Sequence, residues 1–211
     1  MKISASYLGV KKRMASIFIY ELDKTDVDFI HVDVMDGKYV PNKVNSYSDV
    51  LDLSYYTQKR LDVHFMVRKP LKYIDDFASL NVFCMTFHLK IKNDLDEVID
   101  RCHEYGIKAG IALEPDEEIS LLDPYWDKID MVLVMSVKTG LPGQSFIKET
   151  IPKIKALRDK IKKEKRDILI NVDGGINLEN KEFLGDADIL SVGSTISNSN
   201  NYKEIIDKLK S

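Results

Sequence analysis

The chain contains four histidines, and two of them stand in short apolar runs beside acids and methionines. One run reads Ile30-His31-Val32-Asp33-Val34-Met35-Asp36-Gly37, the other Leu61-Asp62-Val63-His64-Phe65-Met66. Alternate side chains of an extended strand share a face, so His31, Asp33 and Met35 point one way, as do His64 and Met66. A third run ends Asn171-Val172-Asp173-Gly174-Gly175, placing an acid at a strand end beside a flexible turn. If these ends converge, His31, Asp33, His64 and Asp173 offer two imidazoles and two carboxylates to one divalent cation. That donor set suits zinc first, with iron, manganese or cobalt as alternatives; calcium prefers oxygen ligands alone. An aspartate lying between cation and substrate can act as a base. Two aspartates on opposite faces of a flat intermediate can remove and return a proton at one carbon, which is an arrangement for epimerisation through an enediolate.

Each residue alone has a plainer reading. His-x-Asp on a strand is commonly an ordinary hydrogen-bonded pair, Asp33 could cap a turn and Asp173 could cap a helix. The metal site rests on all four standing at strand ends together. Met35, Met66 and Met135 fit either core filling or a dry lining around a reacting carbon.

Glycines form a second constellation. Gly140-Leu141-Pro142-Gly143-Gln144, Asp173-Gly174-Gly175 and Gly193-Ser194 each follow a predicted strand. Glycine lets backbone N–H groups approach a phosphate closely, and barrels build phosphate sites in the loops after their last strands.

The elements that must position these residues alternate. Predicted strands are Lys2–Ser6, Phe29–Val34, Leu61–Met66, Phe83–His88, Lys108–Leu113, Met131–Met135, Ile168–Val172 and Ile189–Val192, several of them apolar on successive positions as in parallel sheets. Helical spacing recurs between them, in Leu95, Val98, Ile99 and Cys102, in Ile147, Ile151, Ile154, Leu157 and Ile161, and in Tyr202, Ile205, Ile206 and Leu209. Leu71, Ile74 and Phe77 follow Pro70, a good first helical residue, and less regular helices are expected at Lys12–Leu22 and Ser48–Gln58. Eight strand–helix units in 211 residues, roughly 26 each, predict a compact (β/α)8 TIM barrel spanning residues 1–211 as one domain. A doubly wound sheet is the competing architecture, but no Gly-rich turn follows the first strand.

Composition narrows the classes. Hydrophobic residues make up 44% and charged residues 31%, which excludes disordered and fibrous chains. A net charge of −3 argues against a general nucleic-acid binder. Two cysteines, Cys84 and Cys102, exclude a disulfide framework and fit a reducing cytoplasm. MKISASYLGVKK lacks the apolar core of a signal peptide, and no apolar run is long enough to span a bilayer. His88, at a strand end, is expected in a supporting role, and His103 on a solvated helix face. Trp126 is expected to pack at the bottom of the barrel.

The segments His31-Val-Asp-Val-Met-Asp-Gly, Leu61-Asp-Val-His-Phe-Met, Met131-Val-Leu-Val-Met-Ser and Val172-Asp-Gly-Gly-Ile resemble the ribulose-phosphate 3-epimerase family, nearly end to end. The resemblance implies a metal-dependent barrel of the ribulose-phosphate-binding type that interconverts ribulose 5-phosphate and xylulose 5-phosphate, in carbohydrate metabolism and as a homo-oligomer. Carried over, it makes His31, Asp33, His64 and Asp173 the metal ligands and Asp33 and Asp173 the acid/base pair. Ser6 and His64 would contact the sugar, and Gly140, Gly143, Gly174, Gly175, Gly193 and Ser194 would surround the phosphate. The chain departs from the family at Gly9–Lys12, at Asn45-Ser46-Tyr47 and at Thr139–Gln144, where Pro142 lacks an N–H; the helix before the last strand looks shortened. These departures bear on the sugar more than on the reaction, so a hexulose phosphate such as allulose 6-phosphate is the alternative substrate. A sugar-phosphate decarboxylase of related fold would need a lysine two residues after Asp33, where Met35 stands. A non-catalytic sugar-phosphate-binding barrel is a further alternative, disfavoured by retention of both histidines and both aspartates.

Overall fold

Runs of Val, Ile and Phe on successive positions need cover on both faces, and a closed parallel barrel ringed by helices supplies it. The computed structural model describes residues 1–211. Its barrel strands are β1 Lys2–Ser6, β2 Phe29–Asp36, β4 Arg60–Met66, β5 Val82–His88, β6 Lys108–Leu113, β7 Met131–Met135, β8 Leu169–Asp173 and β9 Ile189–Val192. The order is β1-β9-β8-β7-β6-β5-β4-β2, and β1 pairs with β2 to close the ring, every pairing parallel. A short β3, Lys43–Val44, returns antiparallel to the end of β2.

The outer layer holds α1 Ala15–Asp23, α2 Tyr47–Ser54, α3 Ile74–Ala78, α4 Leu95–Glu104, α5 Ile151–Glu164, α6 Ser194–Ser197 and α7 Tyr202–Lys210. Strict strand–helix alternation is broken twice. After β6 the cover is a 3-10 segment, Ile119–Tyr125, in which Pro124 cannot continue an α-helix. Between β8 and β9 only Lys181–Phe183 turns, and just Ile176, Leu184 and Ala187 are buried there, too few for an amphipathic face. The Ile147 stripe also begins later than its spacing suggests. Ile147 is extended, Lys148–Thr150 forms a 3-10 turn, and α5 starts at Ile151 with Pro152 in its first turn.

Strand parity divides the core. Ile30, Val32, Val34, Val63, Phe65, Ile170 and Val172 face outward into one continuous apolar layer with helix residues such as Phe77, Ile99 and Leu157. Phe29, Phe83, Cys84, Met131 and Ile189 form a separate cluster at the N-terminal ends of their strands, closing the barrel floor. Both cysteines are buried and free. Trp126 is buried within the outer apolar layer, whereas His103 does not simply face solvent but pairs with Asp130 at 2.9 Å. No helix is long and apolar enough to cross a membrane.

Phe65 is the hub of the outer layer on the β4 side, stacked on Phe87 at 5.3 Å and edge-on to Phe77 at 5.0 Å. We expect Phe65→Ala to cost ~3–5 kcal/mol in equilibrium urea unfolding, by transfer loss and cavity formation. An unchanged midpoint would contradict this placement of the core.

Candidate active site

The opposite parity points inward. Parallel pairing sets His31 level with Asp62, Asp33 with His64, and Met35 with Met66. Asp173 ends β8 level with Met135 and Ser191. One donor atom from each of His31, Asp33, His64 and Asp173 lies within 4.8 Å of the others. His31 Nε2 is 3.5 Å from Asp33 Oδ1 and 3.7 Å from Asp173 Oδ2. His64 Nδ1 lies 3.2 Å and 3.8 Å from the same two oxygens.

His31 Nε2 is buried without a hydrogen-bond partner. Buried polar atoms are rarely left so, and this one faces two carboxylates and a second imidazole, a setting that fits a bound cation. The other ring nitrogen is firmly held. Nδ1 is 2.9 Å from Asp62 Oδ2, which also accepts hydrogen bonds from Ser4 Oγ at 2.9 Å and Asn171 Nδ2 at 3.0 Å. Asp62 thereby orients the ring and turns Nε2 toward the cluster. His64 is tied differently, with its Nε2 2.8 Å from His88 Nε2.

These groups set one another's charge. Burial opposes protonation of His31, but Asp33 and Asp62 outweigh it and hold the ring's pKa well above the usual range. Burial likewise opposes ionisation of Asp33, yet His31 and His64 keep its pKa below the ordinary carboxylate range. Burial, with His88 and His31 adding to it, pushes His64 down to about 4 against the pull of Asp33. Asp173 moves the other way. Burial pushes it up to about 7, Asp33 and Asp62 add repulsion, and His31 offsets only part. His31, Asp33, His64 and Asp173 would hold a cation, whose positive charge would offset the repulsion among the acids.

Above the cluster opens a cavity of about 320 Å³. Ser6, Asp33, Met35, His64, Met66, Met135 and Asp173 line its floor and walls, and Gly140, Gly143, Gly174, Gly175, Gly193 and Ser194 line its rim. Of the residues expected at the metal, the sugar or the phosphate, only His31 does not line it, lying fully buried beneath. Ser6 Oγ stands 3.4 Å from Asp33 Oδ2. Gly175 has φ +65°, and a Cβ there would sit 2.5 Å from Phe146 N, so no larger residue fits.

The loops that depart from the family pattern brace this mouth. Asn42 Nδ2 donates to Gly140 O at 2.7 Å, joining the β2 loop to the β7 loop. Asn45, at φ +54°, donates from Nδ2 to Asp33 O at 2.8 Å. Gln144 Nε2 ties back to Lys138 O and Leu141 O. Sequence reading passed over Asp62, Asn171, Ser4 and Ser191. Parity carried a signal for two of them, since Asp62 shares a face with His64, and Asn171 with Asp173.

Comparison with known proteins gives a consistent match. A model of the "Ribulose-phosphate 3 epimerase family" matches residues 2–197. Proteins named ribulose-phosphate 3-epimerase are 38% identical in Buchnera aphidicola (95% of this chain, 90% of that one) and 33% identical in Bacillus subtilis (100% and 98%). The Escherichia coli protein of that name is 36% identical over 87% of this chain and 83% of its own. Solved structures are alike in fold at lower identity. The 3-hexulose-6-phosphate synthase of Salmonella typhimurium has a TM-score of 0.68 at 20% identity, covering 99% of this chain and 96% of that one. Mycobacterium tuberculosis tryptophan synthase has 0.69 at 14%, covering 99% and 90%.

The raised pKa of Asp173 has a consequence for the metal-free protein. The folded state keeps this proton to higher pH than the unfolded chain does, so ionising Asp173 weakens folding as pH rises from about 4 to about 7. Asp173→Asn should therefore raise the thermal midpoint at pH 8, and the gain should vanish below pH 4. A gain independent of pH would contradict the assignment.

Proposed function

The chain belongs to the ribulose-phosphate 3-epimerase family and is an isomerase of the epimerase type, and on that premise we propose that it inverts C3 of D-ribulose 5-phosphate to give D-xylulose 5-phosphate. The observation that carries the reading is the convergence of His31, Asp33, His64 and Asp173 beneath a glycine-rimmed cavity. A divalent cation held by these four, zinc by donor set with iron, manganese or cobalt as alternatives, would supply positive charge to the oxygens of an enediolate when bound.

Asp33 and Asp173 do the proton work. They stand on β2 and β8, strands separated by β1 and β9, and a flat intermediate between them turns one face to each. Asp33, held ionised by its imidazole neighbours, takes the C3 proton and becomes the acid form. Asp173, with its pKa raised by burial, delivers its proton to C3 from the other face and becomes the carboxylate. The reverse reaction exchanges the roles.

The surroundings match this task. Met35, Met66 and Met135 are buried and offer a soft apolar wall that excludes water from the carbon acid. Ser6 and His64 are placed for sugar hydroxyls. Gly140, Gly143, Gly174, Gly175, Gly193 and Ser194 present backbone to the phosphate, with Pro142 contributing no N–H. We read residues 1–211 as one domain working in the reducing cytoplasm. Ile17 and Tyr20, half-exposed on α1, are apolar surface that a second copy of the chain in a homo-oligomer would cover.

The metal-loaded protein should epimerise ribulose 5-phosphate with a higher kcat/KM than allulose 6-phosphate, lose turnover on chelation and regain it with added metal. Preference for the hexulose phosphate would transfer the assignment to that sugar. Turnover of neither with zinc, iron, manganese or cobalt would overturn it.

A further inference from the structure

We infer that the loops after β2, β4, β5 and β7 form a basic vestibule that draws the phosphorylated substrate to the mouth before the glycine rim holds it; the inference rests on the sugar-phosphate reading given above. Lys38, Arg68, Lys90, Lys92 and Lys138 line a cavity of about 700 Å³ that contains only two acids, Glu114 and Asp116. The whole chain carries a net charge of −3, so this excess of positive charge is local.

Strand register builds the arc. Lys38, Arg68 and Lys90 each stand two residues beyond the last residue of β2, β4 and β5. Those three strands are neighbours, with Met35 level with Met66 and Phe65 level with Phe87, so the three cations leave the barrel at similar heights on one side of the mouth. Backbone hydrogen bonds then tie the loops together. Asp36 accepts from Lys38 N and Tyr39 N, each at 2.8 Å, and from Arg68 N at 2.9 Å. Lys92 N donates to Arg68 O at 2.8 Å.

The nearby acids do not cancel the arc. Asp36 is turned to those three N–H groups, and Glu114 faces His88, with Oε1 3.3 Å from Nδ1. Glu117 pairs with Lys90 at 2.9 Å. Lys38, Arg68, Lys92 and Lys138 are exposed and take part in no ion pair in the structure. Unpaired charges of one sign around a cleft focus the field there and raise the local concentration of the opposite ion.

The vestibule adjoins the catalytic cavity. Lys138 and Thr139 line the vestibule, while Gly140, next in the same loop, lines the catalytic cavity. Val40 also lines the vestibule, and it packs on Met35 and Met66 of the catalytic wall. An anion drawn to these cations is therefore one loop away from the glycine rim. Flexible, exposed side chains impose no single pose, so their contribution is to encounter rather than to orientation.

The kcat/KM of the metal-loaded protein for ribulose 5-phosphate should fall ~10-fold or more between about 0.01 M and about 1 M KCl, as the screening length shrinks from ~30 to ~3 Å. Lys38→Gln combined with Lys92→Gln should lie ~3–10-fold below wild type at low salt and converge with it at high salt. Lys162→Gln combined with Lys163→Gln removes the same charge from the exposed last turn of α5 and should match wild type throughout. A mouth variant equal to wild type at low salt would overturn the inference, as would a deficit that persists at high salt or an equal loss in the α5 variant. Wild-type protein that turned over neither sugar phosphate would overturn the epimerase reading instead. Calorimetric titration with sulfate at low salt would then decide the vestibule: affinity should be ~3–10-fold weaker in the mouth variant alone, and equal affinities in all three proteins, or no binding to wild type, would overturn it.

Discussion

Three carboxylates and three imidazoles share the interior of one small barrel, and the rest of the structure follows from the need to balance them. Burying like charges together is costly unless each has a partner. Asp62 is satisfied by His31, Ser4 and Asn171. Asp33 has Ser6 and both cluster histidines at hand. Asp173 has only the more distant imidazoles, at 3.7 and 3.8 Å, and its side chain is 17% exposed. The least supported acid is therefore the one whose pKa is raised, and in the proposed reaction that asymmetry would divide base from acid without two different residue types.

The barrel makes this crowding tolerable by separating stability from chemistry. Outward parity supplies the apolar layer that binds strands to helices, and the floor cluster seals the far end. Inward parity is then free to carry polar residues at the mouth, where rigid strand ends hold them and the loops close over them. Asn42, Asn45 and Gln144 show how the loops do this by hydrogen bonds to backbone carbonyls, beside the apolar packing of Val40 on Met35 and Met66. An overall acidic chain would hold the proposed anionic substrate through local groups at the mouth, not through its net field.

Much of this was legible in the residues because strand parity is a strict rule. Once β2, β4 and β8 are recognised, His31, Asp33, His64 and Asp173 must face the same interior, and the glycines after β7, β8 and β9 must meet at one rim. The outer layer was less legible. A stripe from Ile147 looks helical by spacing, yet extended backbone at Ile147 and Pro152 in the first turn fix where α5 begins. The 3-10 cover after β6 follows from Pro124 interrupting a segment whose apolar residues alone would not reveal it. The supporting acids were the hardest to see. Asp62 holds His31 from the neighbouring strand β4, level with it in the pairing, and Glu114 comes within 3.3 Å of His88 through the pairing of β5 with β6. No spacing along the chain encodes such neighbours.

The central claim is that Asp33 and Asp173 serve opposite faces of one carbon, and solvent exchange at C3 tests it most directly. In deuterated water the metal-loaded wild type should exchange the C3 proton of both ribulose 5-phosphate and xylulose 5-phosphate. Asp173→Asn should retain exchange for only one epimer and interconvert neither, and Asp33→Asn should retain exchange for only the other. Wild-type exchange of both epimers in either variant would contradict the two-aspartate account.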